Sequence, residues 1–212
     1  MKTFRNASIA LALLVSTCSF MQAQTFVGTL SGANENPPNA SPGTGFAMVT
    51  INLATHVLTI QVDFSNLTAN VSAAHVHAPA GPGVNAGVAT QTPSFVGFPA
   101  ATSGSYTMSF DMLQASTWNA TYINNNGGTP AGAEAAFANA LNNGMAYFNI
   151  HTANFPGGEI RANLAIPEPS TTALLGVGLI GAAVAWRRRR ARASSLALVR
   201  PSGSALAQST RQ

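Results

Sequence analysis

The sequence predicts a mainly β domain, an antiparallel sandwich or barrel-like fold with one inserted helix. Short apolar runs alternate with polar residues across residues 24–166, and Gly, Pro, Asn and Ser separate these runs. Alternation with a period of two is typical of strands that bury one face. One alanine-rich stretch, residues 129–143, has the composition and spacing of a helix instead.

The first half of this region contains three predicted strands. Residues 25–30 (TFVGTL) form the first, and the Gly- and Pro-rich residues 32–45 follow as a loop. Residues 46–53 and 57–64 are alternating, β-branched runs with a short connection, which predicts a hairpin. Alternate positions of the second run are apolar and are expected to face the core: Leu58, Ile60, Val62 and Phe64.

The second half is predicted to hold four more strands and the helix. In the helix, Phe137 and Leu141 lie four residues apart and form an inward stripe. A long Gly- and Pro-rich loop is expected over residues 78–99. The strands are predicted at residues 73–77, 104–112, 144–152 and 159–164, of which the last two form a closing pair.

The distribution of charge excludes a basic nucleic-acid-binding surface on this domain. The chain has 10 basic and 6 acidic residues, a net charge of +4. Nearly all the basic residues lie near the two ends, because residues 24–166 contain five acidic residues and Arg161 alone, a net charge of −4. Binding to nucleic acid depends on neutralising phosphates with basic side chains, so no nucleic-acid partner is expected.

Residues 1–23 have the layout of a secretory signal peptide. Lys2 and Arg5 precede a short apolar core at residues 9–15, and cleavage is expected after Ala23. Acylation of Cys18 is an alternative, although Thr17 is large for the residue before a lipoprotein cysteine. Cys18 is the chain's one cysteine, so the processed protein could form no disulfide within itself.

Residues 167–192 form a second targeting segment. Pro167, Glu168 and Pro169 precede an apolar stretch at residues 171–186, which is predicted to be one transmembrane helix. The cluster that follows would stay cytoplasmic by the positive-inside rule: Arg187, Arg188, Arg189 and Arg190. Residues 193–212 are small and polar and are predicted to be disordered.

This order of Pro-Glu-Pro, short apolar helix and arginine cluster resembles the PEP-CTERM sorting signal of Gram-negative bacteria. The resemblance implies an exosortase as processing partner. It implies a protein that is anchored in the inner membrane and then released toward the cell surface or extracellular matrix. Residues 193–212 depart from the pattern, since the family's signal usually ends shortly after the basic cluster. The fate of the anchor, cleaved or retained, stays open.

Three segments of the middle region resemble the CHRD domain. They are LSGANENPP at residues 30–38, AHVH at residues 74–77, and AYFNIHT at residues 146–152 with PGGEIR at residues 156–161. The resemblance covers about residues 25–165 and implies an extracellular β module. It implies no settled activity for the bacterial members of the family.

The histidines raise the question of a metal site. His75 and His77 are separated by one residue on a predicted strand, so both side chains leave the same face. His151 lies on a strand near the end of the domain, and Glu159 or Glu35 could add an oxygen ligand. A structural polar network is the alternative interpretation. His56 lies in the predicted hairpin turn and is expected to be an ordinary exposed residue.

Three charged residues are predicted to have structural polar roles. Glu159 and Arg161 share one strand face, where they could form an ion pair beside the Gly-rich turn. Arg161 could instead bind loop carbonyls or a ligand carboxylate. Glu35 is a further possible partner of Arg161, because isolated charges in so uncharged a domain need compensation.

No catalytic template fits the sequence. It contains no HExxH, GxSxG, phosphate-binding loop or dinucleotide-binding motif. The first hypothesis is therefore a non-catalytic cell-surface or biofilm-matrix module, which could contact exopolysaccharide or surface proteins. The second is an extracytoplasmic protein that binds a divalent metal ion through His75, His77 and His151. A metal-dependent enzyme at the same site is the third.

Overall fold

The computed structural model describes residues 23–167. Its strands form one antiparallel sheet in the order β4-β6-β7-β1-β2-β3-β5. The strands are β1 (Gln24–Ser31), β2 (Thr44–Asn52), β3 (Val57–Ser65), β4 (Val71–His77), β5 (Gly104–Asp111), β6 (Tyr147–Thr152) and β7 (Ile160–Asn163). The helices are α1 (Ala120–Asn125) and α2 (Pro130–Asn142), with short 3-10 turns at Gly32–Asn34 and Ala115–Thr117.

The sheet is an open half-barrel. The expected sandwich of two sheets is therefore wrong, and the expected barrel is only half closed. Strands β4 and β5 end the strand order, and within the described residues no strand joins them. Phe95 and Phe98, from the long loop after β4, fill this gap. The ring centroid of Phe95 lies 5.4 Å from that of Phe110 on β5 and 6.0 Å from that of Phe148 on β6. Aromatic packing therefore spans the space that further strands would occupy in a closed barrel.

The predicted hairpin is present as β2 and β3, paired in continuous register from Thr44 opposite Ser65 to Asn52 opposite Val57. Gln61 and Asp63 are exposed on the outer face, as the alternation predicts. The four apolar residues of β3 are buried on the inner face, which confirms their place in the core: Leu58, Ile60, Val62 and Phe64.

The predicted helix is confirmed as α2, but it is not the only helix in the described region. The Thr129 side chain caps α2 by accepting a hydrogen bond from the Gly132 N–H, and Phe137 and Leu141 are buried. Helix α1 was not predicted, because six residues are too few to show a helical period. Its cap is a local signal that could have revealed it, since the Asn119 side chain accepts from the Thr121 N–H.

The side chain of His56 is 43% exposed, as expected for the hairpin turn, but it also connects the turn to α2. Its Nδ1 lies 2.9 Å from Oε2 of Glu134, whose side chain is buried. The backbone of His56 has a φ of +55°, as tight turns often require. The turn is thus fixed to the helix by a polar contact that the local sequence does not encode.

The buried apolar side chains form one cluster that extends from Phe26 to Leu164. Residues 23–167 therefore hold a complete hydrophobic core, as an independently folding domain requires. No helix among them is long and apolar enough to span a membrane. The predicted signal peptide, the apolar stretch at residues 171–186 and the tail at residues 193–212 lie outside the described residues.

Candidate metal centre

The outer face of β4, β6 and β7 is covered by loops and carries Arg161 and three of the four histidines. The cross-strand register places His75 opposite Asn149 and Asn149 opposite Arg161. His77 lies opposite Tyr147, and His151 lies two residues beyond Asn149 on β6, opposite Ala73. The strand register alone therefore gathers these side chains on one face, since paired residues share a face.

The three predicted histidines converge on this face. One nitrogen from each of His75, His77 and His151 lies within 4.8 Å of the others. The ring centroids are 5.0 to 5.8 Å apart. Because β4 and β6 are neighbours in the sheet, His151 reaches the pair on β4 despite being more than seventy residues away in the chain.

A loop carbonyl fixes the tautomer of each imidazole. The distances are 2.7 Å from His75 Nε2 to the Pro93 oxygen, 2.9 Å from His77 Nδ1 to the Ala86 oxygen, and 3.0 Å from His151 Nδ1 to the Pro156 oxygen. A carbonyl can only accept, so each of these nitrogens carries the proton. In the neutral rings the remaining nitrogens therefore carry lone pairs, namely Nδ1 of His75 and Nε2 of His77 and His151.

Burial keeps these imidazoles neutral. It lowers the pKa of both His75 and His77 to about 4, although the hydrogen bonds to loop carbonyls act in the opposite direction. Burial also lowers the pKa of His151, and the positive charge of Arg161 adds to that shift. At neutral pH all three rings are therefore in the form that binds a metal ion.

The three lone-pair nitrogens are buried and find no hydrogen-bond partner among the described residues. Three imidazoles whose opposite nitrogens donate to backbone carbonyls have the donor set and the outer support of many zinc and copper sites. The carboxylate ligand considered from sequence does not join them. The candidate ligand group consists of the three histidines alone, and Glu35 and Glu159 are engaged elsewhere.

Arg161 pairs with Glu35, at 3.1 Å between Nη2 and Oε2, and both side chains are almost fully buried. Arg161 also donates to the Val84 carbonyl oxygen and to Oδ1 of Asn85. Its guanidinium carbon lies 3.9 Å from the ring centroid of Tyr147. Burial raises the pKa of Glu35, while Arg161 and Asn149 act to lower it. This arrangement confirms the considered Glu35–Arg161 pair and the contact of Arg161 with a loop carbonyl.

Glu159 does not pair with Arg161, so of the alternatives considered for Arg161 the bond to a loop carbonyl is the one present. Its carboxylate accepts hydrogen bonds from the side chains of Thr152 and Ser41 and from the backbone N–H of Thr68. Burial acts to raise the pKa of Glu159, but these hydrogen bonds outweigh it and hold the pKa below its ordinary value. Neutral donors thus stabilise this carboxylate, and it helps to join three loops.

Gly158, the second of the two glycines before Glu159, has a structural reason. Its φ is +131°, and a Cβ at this position would lie 2.7 Å from Oε1 of Glu35 and from the amide of Asn149. A side chain here would have to shift the ends of the Glu35 and Asn149 side chains, which lie beside the pair that Glu35 forms with Arg161. The Gly-rich turn is therefore part of the same polar cluster as Glu35 and Asn149. The sequence placed charged residues beside this turn, but it did not show that Gly158 approaches them so closely.

Tyr147 is a member of the site that the sequence reasoning did not single out. Its ring stacks on His77, with centroids 4.8 Å apart and an interplanar angle of 4°. Its hydroxyl oxygen accepts from the Ala86 N–H, and the carbonyl of Ala86 binds His77. Tyr147 thus positions both the imidazole and the loop that orients it. The available signal was its alternation with Asn149 and His151 on one strand.

Comparison with known proteins identifies two regions of the chain. The family model described as CHRD domain matches residues 26–164, and the PEP-CTERM protein-sorting motif matches residues 165–190. No curated protein and no solved structure matches the chain. The chain therefore belongs to the CHRD domain family and carries a PEP-CTERM sorting motif, which implies processing by an exosortase, a membrane enzyme, and export from the cell.

Proposed function

We propose that this CHRD-domain protein is a non-catalytic cell-surface or matrix module that binds one divalent transition-metal ion. The ligands are Nδ1 of His75, Nε2 of His77 and Nε2 of His151. The observation that carries the proposal is the convergence of three buried, unpartnered nitrogens whose lone pairs are fixed by loop carbonyls.

A purely structural polar network is a weaker explanation of this geometry. An unsatisfied buried acceptor costs about 1–3 kcal/mol, and here three acceptors face one another. A single water molecule has two protons, so it could satisfy no more than two of them. A metal ion accepts all three lone pairs at once and removes the penalty.

The donor set points to zinc or copper. Imidazole suits Zn²⁺ and Cu²⁺, whereas Ca²⁺ and Mg²⁺ prefer oxygen ligands. No carboxylate belongs to the ligand group in the described region, so the bound site would keep a positive charge. The nearby Arg161 disfavours additional positive charge, and the Glu35 carboxylate beside it compensates.

The burial of the site favours retention or structural support over catalysis. Catalytic zinc sites keep an open position for water or substrate, whereas structural sites are closed. The three lone-pair nitrogens are shielded from solvent by the covering loops. A metal-dependent enzyme is therefore the less supported alternative at these histidines.

The surface or matrix role rests on the sorting motif and on the uncovered part of the sheet. The motif implies an exported protein that is first anchored in the inner membrane of a Gram-negative bacterium. On the outer face of the sheet, Thr25, Thr50, Thr59 and Ser109 form one row across four strands. Such an uncharged, hydroxyl-rich row suits contact with exopolysaccharide or with surface proteins.

Metal content of the purified domain tests the proposal. Residues 23–167 would be prepared without a histidine tag, incubated with Zn²⁺ or Cu²⁺, dialysed against a weak chelator and measured by mass spectrometry. We expect about one ion per chain. The ion should be lost in His75→Ala/His77→Ala and in the milder His77→Gln, and retained in His56→Ala. A folded wild-type domain that retains neither ion would refute the metal site.

A further inference from the structure

The two edge strands of the sheet, β4 and β5, differ in whether the backbone groups on their outer edges have hydrogen-bond partners. At the β4 end, the loop after the strand satisfies the free backbone groups. The N–H groups of Ala89 and Thr90 donate to the Val76 oxygen, and that of Phe95 donates to the Ala74 oxygen. The side chains of Ser94 and Thr90 accept from the N–H groups of Ala74 and Val76. At the β5 end, within the described residues, no strand pairs with the outer edge.

The free backbone groups of β5 can be identified from its pairing with β3. The Met112 N–H donates to the His56 oxygen at 2.7 Å, and the ladder continues from Val57 opposite Asp111. Bonding direction alternates along an antiparallel pair, so the even-numbered residues of β5 bond to β3. The N–H and C=O groups of the odd-numbered residues point to the open edge: Ser105, Thr107 and Ser109.

This edge lacks the devices that usually protect an open strand. Natural edge strands carry lysines, prolines or bulges that prevent pairing with another chain. Strand β5 (GSYTMSFD) has none of these, and its one charged residue, Asp111, stands at its end. The carbonyl of Asp111 already accepts from Thr117 Oγ1 and from the Gln114 N–H. The unused stretch therefore runs from Ser105 to Ser109 and is centred on Thr107.

We propose that β5 pairs in antiparallel register with β5 of a second copy of this chain, about a twofold axis at Thr107. In this register Thr107 lies opposite Thr107 of the other copy, and Ser105 lies opposite Ser109. Every free N–H and C=O of the stretch then has a partner, and no like charges oppose each other. The two half-barrels become one continuous sheet.

A second copy fits this edge because the stretch is self-complementary. Antiparallel pairing about its centre places small hydroxyl side chains opposite one another on the outer face. On the inner face, Met108, which is 36% exposed, comes to lie opposite Tyr106 of the other copy. One strand pair buries less than the roughly 1,200 Å² of a stable interface, so the dimer should form reversibly at high concentration. This inference is independent of the metal site.

Sedimentation of residues 23–167 over a range of concentrations tests the pairing. Thr107→Lys places two ammonium groups opposite each other across the axis, so its dissociation constant should rise at least about fivefold. Gln61→Lys is the matched control, because Gln61 neighbours Thr107 on β3 and faces the same way without lying on the edge. A wild-type domain that stays monomeric at millimolar concentration would overturn the proposal, as would an equal effect of the two variants.

Cysteine cross-linking tests the register. Residues 23–167 contain no cysteine, so Thr107→Cys introduces a single thiol. Across the twofold axis the two Cα atoms would be about 5.5 Å apart, within the range of a disulfide. Oxidised glutathione should therefore link Thr107→Cys as a dimer and leave Ser105→Cys largely unlinked. Equal linking of both variants would overturn the proposed register.

The full chain provides the remaining comparison. If the full chain stays monomeric under conditions in which residues 23–167 dimerise, the proposal fails for the intact protein. Association of the full chain that Thr107→Lys weakens and Gln61→Lys does not would support the second copy as the occupant.

Discussion

The two halves of the outer sheet face belong to the same sheet but differ in burial and in the side chains that they carry. Over β4, β6 and β7 the face lies under loops and carries histidines, an arginine and buried polar groups. Over β1, β2, β3 and β5 it is open and carries mostly threonines, serines and other polar residues, together with the exposed Phe46. The apolar core cluster includes inner-face residues of both halves, so the difference lies mainly on the outer side.

This difference shows that the strand register gathers the side chains of the candidate site and that the covering loops then bury and orient them. A loop that covers polar side chains must provide partners for them, because an unsatisfied buried group is costly. Pro93, Ala86 and Pro156 provide carbonyls for the three histidines, and Asn85 and Val84 do so for Arg161. On the open half the polar side chains are exposed or bond to one another across the strands, and we expect substitutions there to be tolerated.

Acid should destabilise the metal-free domain through the covered half, and this is the largest effect expected. The pKa of His75 and of His77 is about 4 in the folded domain and about 6.5 when unfolded. Below pH 6.5 the unfolded chain binds more protons, so stability falls as the pH drops from about 6.5 toward 4. One pKa unit is worth about 1.4 kcal/mol, so the loss should amount to several kcal/mol.

Urea denaturation in the presence of a chelator, measured at pH 7 and pH 5, would detect this loss. In His75→Ala/His77→Ala the slope of stability against pH should be much smaller over the same interval. An equal slope in this variant and in the wild-type domain would show that the two histidines are not the cause.

Breaking the buried ion pair should have the next largest effect. Glu35→Ala leaves the Arg161 guanidinium buried without its carboxylate, which typically costs about 3–5 kcal/mol. Asp63→Ala is the comparison on the open half, because Asp63 is exposed and should cost less than about 1 kcal/mol. Chemical denaturation of both variants measures the difference, and similar losses would remove the proposed contrast between the halves.

Metal addition should stabilise the covered half by an amount that depends on concentration. An ion that binds the folded state alone adds about 2.7 kcal/mol when its free concentration is one hundred times the dissociation constant. Thermal unfolding with and without Zn²⁺ measures this shift. His56→Ala should keep the stabilisation and His77→Gln should lose it. A shift that survives in His77→Gln would assign the ion to another site.

Replacing one threonine by valine in each half is the comparison with the smallest expected effect. Thr152→Val removes a donor to the Glu159 carboxylate in a fully buried position, which should cost about 1.5–3 kcal/mol. Thr59→Val removes a hydroxyl contact with Ser109 on the open face, where valine also suits a strand, and should change stability by less than about 0.5 kcal/mol. Equal effects in urea denaturation would show that the loops do not isolate the covered half from solvent.

Much of the fold followed from local patterns. Alternation along β3 identified its buried face, and the alanine content with the Phe137 and Leu141 stripe identified α2. Helix α1 was not predicted because its six residues are too few to show a helical period. The open half-barrel was not predicted because alternation identifies strands but does not give their order in the sheet. The spacing of His75 and His77 likewise predicted one shared face, since strand geometry alone requires it.

The sequence by itself determined which segments form strands, which histidines could meet and which charged residues needed partners. The tertiary structure decided that Arg161 pairs with Glu35, that Glu159 serves the loops, and that each imidazole presents a particular nitrogen. The physical reason is the range of the forces involved. Side-chain alternation and capping act within a few residues, whereas burial and carbonyl partners exist only after distant loops have covered the sheet.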